Sequence, residues 1–158
     1  MGQADYYPML KGAAKQRWLS RFKAQIRKWR LTMPPVKPVL VSFGPHDFAK
    51  EGLVEYWVVN NEKEGYCGKF LFVFDGQTCP YHHHDHKHET FFVMKGKVSM
   101  KVAGKRKVMK EGSILVMPQG ADHSFTGIGP ALLLEVSKPC RQHDNIFADK
   151  TIGKNGIY

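Results

Sequence analysis

The 158 residues are 42% hydrophobic and 12% aromatic, which excludes a disordered chain and suffices for one domain burying roughly two-thirds of its unfolded surface. A net charge of +10 raises nucleic acid as a partner, but the excess is local: nine basic residues and no acidic one lie between Asp5 and Asp47. The remaining fifteen basic residues face fourteen acidic ones, so the bulk of the chain is nearly neutral.

The N-terminus has no leader-like apolar core, and no run of 18 apolar residues occurs anywhere, so neither secretion nor membrane spanning is expected. Cys67, Cys79 and Cys140 are odd in number and have no CxxC spacing. They read as buried thiols of a reducing, cytoplasmic compartment.

In chain order, residues 12–32 come first. Trp18, Leu19, Phe22, Ile26 and Trp29 recur at spacings of three and four, the stripe of an amphipathic helix that Pro34 and Pro35 are expected to end. The stripe is expected to dock on the rest of the fold and leave the charged flanks in water. Binding of nucleic acid or an anionic surface by this helix is an alternative, and a dimer contact a third. From Gly52 onward short β-type runs follow, at 53–59, 69–75, 78–84, 90–95, 97–102, 105–109, 113–117, 122–126 and 131–136, punctuated by Gly, Asn and Asp. Many short strands without a second helical block predict an all-β sandwich or barrel.

Five of the eight histidines crowd into residues 81–89. On an extended strand residues two apart share a face, so His82 and His84 can offer two imidazoles to one ion. Glu89 follows a short reversal and can return a carboxylate to the same point. His123, from a separate segment, completes a set of three imidazoles and one carboxylate. Such a set suits manganese, iron, nickel, cobalt or zinc, and leaves positions on the ion for water or substrate. The alternative is a solvent-exposed histidine tract that binds metal adventitiously. His83, His86 and His88 stand outside the pattern, and by parity His86 or His88 competes for a ligand place.

The spacing Gly76-x5-His82-x-His84-x4-Glu89-x6-Gly96 resembles the first motif of the cupins, and Gly112-x5-Pro118-x-Gly120-x2-His123 the second, with Gly127 where that motif usually ends in Asn. The resemblance implies a cupin barrel (double-stranded β-helix or jelly roll) over residues 46–158. Residues 1–45 would then be a basic helix with a Pro-rich connector. Within the cupins, residues 66–84, the Lys87 between the ligands, Glu135-Val-Ser and the tail 143–149 resemble the D-lyxose isomerases. That resemblance implies a manganese-dependent enzyme, usually a homodimer, that interconverts D-lyxose with D-xylulose and often D-mannose with D-fructose. Carried over, His82, His84, Glu89 and His123 are the metal ligands, Glu135 the catalytic carboxylate, and Lys69 and Lys87 contact substrate. Asp144 falls in a matching tail segment as a substrate-binding residue.

The chemistry fits these residue types. Moving a carbonyl from C1 to C2 removes a proton from an adjacent carbon and leaves an enediolate, whose charge a divalent ion can hold. Glu135 would shuttle the proton, and Lys87 would act as an electrostatic or acid partner at the sugar oxygens. Glu135 is also the lone charge in Leu132-Leu133-Leu134-Glu135-Val136, an expensive placement unless it has partners. Structural alternatives are a surface lysine at Lys69 or Lys87 and an ion-pair role for Glu135. The basic helix keeps open a phosphorylated sugar, should it fold over the barrel mouth. Rival readings are a non-haem iron dioxygenase, which needs neither Lys87 nor Glu135, and a metal-dependent sugar-binding module.

Overall fold

The computed structural model describes residues 9–158, so the first eight residues of the expected N-terminal segment lie outside the described residues. The helix α1 spans Gly12–Lys28. Its buried residues Trp18, Phe22 and Ile26 follow the predicted stripe, and Arg27 and Lys28 occupy its last turn, where cations complement the helix dipole. The helix stops before the prolines. Arg30 takes the left-handed conformation at φ 56°, its N–H donates to the Arg27 carbonyl, and the Leu31 N–H donates to the Ile26 carbonyl. This is a Schellman closure, made here without glycine.

Eleven strands follow: β1 Val39–Ser42, β2 Gly52–Asn61, β3 Tyr66–Val73, β4 Thr78–His83, β5 Glu89–Lys95, β6 Lys97–Val102, β7 Lys105–Lys110, β8 Ile114–Met117, β9 His123–Gly127, β10 Ala131–Ser137 and β11 Ile146–Phe147. They form two antiparallel sheets in the orders β1-β2-β3-β10-β5-β8 and β11-β4-β9-β6-β7. One core lies between the sheets and includes Leu53, Leu71, Phe91, Met100, Phe125 and Leu133. A second, with Leu40, Val54, Tyr56, Phe72 and Leu132, lies between the outer face of the first sheet and α1. Trp18 packs against Phe48 and Phe74, and Phe22 against Tyr56 and Phe72. Much of β1, β2 and β3 and the first half of β10 are therefore covered on both faces, which explains the unbroken apolar run at 132–134.

Two strands escape the sequence pattern. β1 lies in the stretch expected to be connector and pairs with β2, Val39 opposite Glu55, so residues before 46 contribute to the sheet as well as to the helix. β11 is only two residues long and pairs with β4, Phe147 opposite His82. Too short to show an alternation, it is held by its hydrogen bonds to a longer neighbour.

Gly127 has a steric cause. A Cβ there would run into the carbonyl oxygens of Phe74 and Gly129, because the turn after β3 crosses close by: Gly76 N–H donates to the Gly127 carbonyl and Gly127 N–H to that of Gln77, each at 3.0 Å. Replacing Gly127 by the Asn usual in the motif should therefore destabilise the fold, by about 1–3 kcal/mol or more of overpacking strain. Urea unfolding of Gly127→Asn checks this, and unchanged stability would show that the turn can give way.

Candidate metal centre

The cavity lies between the two sheets, and strand register decides who faces it. From one sheet come His82 and His123, directly paired across β4 and β9. From the other come Glu89 on β5, Glu135 on β10 and Lys69 on β3, with Glu135 opposite Lys69 and Ser137 opposite Glu89. His84 and Lys87 belong to the loop joining β4 to β5. The wall also includes Leu53, Leu71, Phe91, Phe125, Asn145 and Phe147.

The ligating nitrogens of His82, His84 and His123 lie within 4.8 Å of one another. Each ring's Nδ1 meets a backbone carbonyl: Pro80 at 2.7 Å for His82, Asp144 at 2.6 Å for His84 and Ala121 at 2.9 Å for His123. A carbonyl only accepts, so every Nδ1 carries the hydrogen, and a neutral ring then presents its Nε2 lone pair to the cavity. Burial holds His82 well below the ordinary imidazole pKa, helped by the neighbouring His123 and His84. Burial likewise lowers His84, with Lys87 adding to it. Glu89 stands 3.4 Å from His84 Nε2 and 3.2 Å from His123 Nε2. Burial works to raise its pKa, but Lys87, His84 and His123 outweigh it and hold the carboxyl well below its usual range. His84 Nε2 and Glu89 Oε2 are buried with no hydrogen-bond partner among the described residues. Three lone pairs and a carboxylate converging in a buried pocket are what a divalent transition metal satisfies. These donors could hold one.

Around the donors runs a chain of buried charges. Lys87 Nζ is 2.5 Å from Glu89 and 3.2 Å from Glu135, while Lys69 Nζ is 3.5 Å from Glu135 and 3.1 Å from Glu55. Each of these five residues is at most 4% exposed. Burial works against the Lys87 ammonium, yet the Cys140 sulfur and the Glu135 and Glu89 carboxylates raise its pKa well above the ordinary value. Glu135 Oε1 accepts from both Ser137 Oγ (2.9 Å) and Lys87, which leaves Oε2 facing Lys69 alone among these contacts. Three carboxylates against two ammoniums leave one net negative charge beside neutral imidazoles. Buried charges are costly unless paired, so a network this dense marks a site where charge is used.

Glu55 is absent from the sequence-derived set, although its signal matches that of Glu135: one charge inside the apolar run 53–59. Its carboxylate also accepts from Trp57 Nε1 at 2.7 Å. Asn145 lines the cavity with no sequence signal at all.

Asp144 sits differently from its sequence reading. Its Oδ1 accepts the amides of Asp85 and His86, and its Oδ2 that of Lys87. Both oxygens are thus engaged in tying down the loop that carries His84 and Lys87, and it is the neighbouring Asn145 that reaches the cavity wall. The same tail segment orients two ligands: the Asp144 carbonyl holds His84, and Phe147 stacks on His82 at 5.2 Å. His83 turns away to Asp122 at 2.9 Å, and His86 and His88 are exposed. Helix α1 lies on the outer face of the first sheet, and none of its basic residues lines the cavity.

The family model described as Cupin domain matches residues 70–137, a span that holds all four donors. The chain has the cupin fold across this span. A curated D-lyxose/D-mannose isomerase of Thermosediminibacter oceani is 34% identical over 93 residues, covering 55% of this chain and 49% of that protein. The chain thus spans about half the length of that relative. Among solved structures, the L-ribose isomerase of Cellulomonas parahominis with L-ribose aligns at TM-score 0.73 and 17% identity, covering 89% of this chain and 93% of that one. KdgF from Halomonas sp. aligns at TM-score 0.52 and 17% identity, covering 56% and 80%. At such identities the structural matches establish a shared fold.

Asp144→Ala should release the three loop amides while sparing the backbone carbonyl on His84. Metal affinity is then expected to fall about 10–100-fold, the usual consequence of losing a group that orients ligands. Calorimetric titration with manganese reads this, and an unchanged affinity would mean that the loop holds its shape without Asp144.

Proposed function

We propose that this protein is a metal-dependent aldose–ketose isomerase of free sugars. The observation that carries this reading is the Lys87 ammonium, which spans from Glu89 in the donor set to Glu135. A carboxylate base and a fixed cation therefore stand one contact from the metal donors. A dioxygenase needs no such pair, and a binding module gains nothing from its desolvation cost.

His82, His84, Glu89 and His123 would hold one divalent ion, manganese by resemblance, with cobalt, nickel, iron or zinc compatible with the same donors. Bound there, the ion would supply Lewis acidity for holding the charge that develops on the sugar oxygens. Glu135 removes the C2 proton and returns it to C1, and its Oε2 is the oxygen less engaged by other donors. Lys87 stabilises negative charge at the oxygen that develops it. Lys69, held between Glu55 and Glu135 and 4.7 Å from the Trp57 ring centroid, orients the base. The apolar wall of Phe91, Phe125 and Phe147 excludes water from the intermediate.

The named relatives support a substrate class wider than one sugar. D-lyxose, D-mannose and L-ribose share the same configuration at C2 and C3 and diverge from C4 onward. We infer that this protein selects aldoses by those two centres, with D-lyxose and D-mannose the leading candidates. A phosphorylated sugar loses its supposed contact, since α1 lies away from the cavity. Val136, Thr90 and Val116 form one cross-strand row on the outer sheet face, with Thr90 half-buried and Val136 and Val116 each 55% exposed, which supports a homodimer across that face. Three unpaired thiols fit a cytoplasmic setting. Among the described residues no helix is long and apolar enough to cross a membrane.

The test incubates manganese-, cobalt- or nickel-loaded protein with D-lyxose, D-mannose, L-ribose and, as mismatched controls, D-xylose and D-ribose. Ketose is expected from the first three. In Glu135→Gln, metal content should persist while turnover falls by about 10²–10⁴-fold, the usual share of a general base. Retained activity in that variant removes Glu135 from the mechanism, and no turnover with any aldose or metal removes the isomerase reading.

A further inference from the structure

All three cysteines are buried and free. Cys79 lines the cavity alone among the thiols, and burial pushes its pKa up. The other two meet although 73 positions separate them, with Sγ atoms 4.0 Å apart. Their approach is built. Cys67 on β3 pairs with Asn60 on β2, and the Asn60 side chain holds the backbone of residue 140 from both sides: its Nδ2 donates to the Cys140 carbonyl at 3.0 Å, and its Oδ1 accepts the Cys140 N–H at 2.9 Å. Asn60 thereby registers one thiol against the other.

The pair adjoins the catalytic groups proposed above without belonging to them. Cys140 Sγ lies 3.6 Å from Lys87 Nζ, and a Glu135 oxygen lies within 4.8 Å of both sulfurs. Glu135 is part of the cavity wall, so a single side chain separates the thiols from the space where substrate would bind. Two lysines close by disfavour a second cation there and favour a thiolate. The Cys140 S–H hydrogen bond, aided by Lys69 and Lys87 against the effect of burial, lowers the Cys67 pKa to about 7, and the same bond raises that of Cys140. The two thiols therefore have distinct parts, Cys67 the nucleophile and Cys140 the resolving thiol.

We propose that Cys67 and Cys140 are a modification site, oxidised reversibly to a disulfide by a small peroxide, and that the disulfide switches the adjoining catalytic pair off. The Cys67 thiolate attacks one oxygen of hydrogen peroxide and the O–O bond breaks; Cys67 becomes a sulfenic acid, and the departing hydroxide takes up the proton that the Cys67 thiol had released and leaves as water. The Cys140 thiol then attacks that sulfur, its proton leaves with the hydroxyl as a second water, and the S–S bond forms. Two thiols are oxidised by two electrons and the peroxide is reduced by two. Closing the sulfurs from 4.0 Å to a bond of about 2.05 Å turns Cys140 away from Lys87 and removes its contact with the ammonium. A dithiol reductant reverses the bond by exchange. The loss of activity rests on the isomerase reading, whereas the disulfide does not.

Manganese-loaded full-length protein is treated with hydrogen peroxide, sampled over time, denatured, alkylated and mapped by mass spectrometry, with aldose turnover followed in parallel. Free thiols are expected to fall from three to one, the survivor being Cys79, with a Cys67–Cys140 cross-linked peptide that dithiothreitol abolishes. Turnover should decline in step with the lost thiols and return on reduction, and Cys67→Ala should keep its turnover under peroxide. Three intact thiols, overoxidation without a cross-link, or a cross-link through Cys79 would overturn the site. A Cys67–Cys140 disulfide with turnover unaffected would overturn the switch. Should the variant fail to fold, the wild-type map decides the site and the time course the switch. Absence of aldose turnover before oxidation would count against the isomerase reading and leave the thiol map readable.

Discussion

Three backbone carbonyls fix the chemistry of this pocket. Those of Pro80, Ala121 and Asp144 each take the Nδ1–H of one histidine, and in doing so turn three Nε2 lone pairs inward on a buried carboxylate. The carbonyls belong to β4, to the turn before β9 and to the C-terminal tail, so the site is assembled only when both sheets and the tail are in place. Neutral rings are the form burial favours and the form that ligates metal, so folding and ligand preparation pull in the same direction.

The second constraint is charge. Glu55, Lys69, Glu135, Lys87 and Glu89 alternate in sign around the cavity, each in contact with an opposite charge. Cross-strand register on one sheet sets most of that order, because β2, β3, β10 and β5 are neighbours and point these residues to the same face. The cost of burying them is met by the two cores, one between the sheets and one beneath α1. The helix, whose basic residues dominate the net charge, serves the fold by covering the outer face of that same sheet.

Much of this was legible in the sequence because it was periodic or spaced. The helical stripe through Trp18, Phe22 and Ile26 and the His82-x-His84-x4-Glu89 spacing both translate directly into which side chains share a face. What was not legible depends on contacts between distant segments. Asp144 reads as a polar residue available to substrate, and only the folded chain shows its carboxylate bound to the amides of residues 85–87. β1 and β11 are too short to carry a period. The end of α1 follows from a left-handed Arg30, a conformation for which glycine or asparagine would be the usual sequence signal. Glu55 could have been found, since it interrupts an apolar strand as Glu135 does. The meeting of Cys67 with Cys140 could not, since nothing in their separation suggests it.

The most direct test of the account is a crystal structure of the manganese-soaked protein with anomalous diffraction measured at the metal. One ion per chain is expected, bonded to Nε2 of His82, His84 and His123 and to the Glu89 carboxylate, with the three Nδ1 atoms still on their backbone carbonyls. An ion held instead by His86 or His88, or ligated through Nδ1, would contradict the arrangement from which everything above is derived.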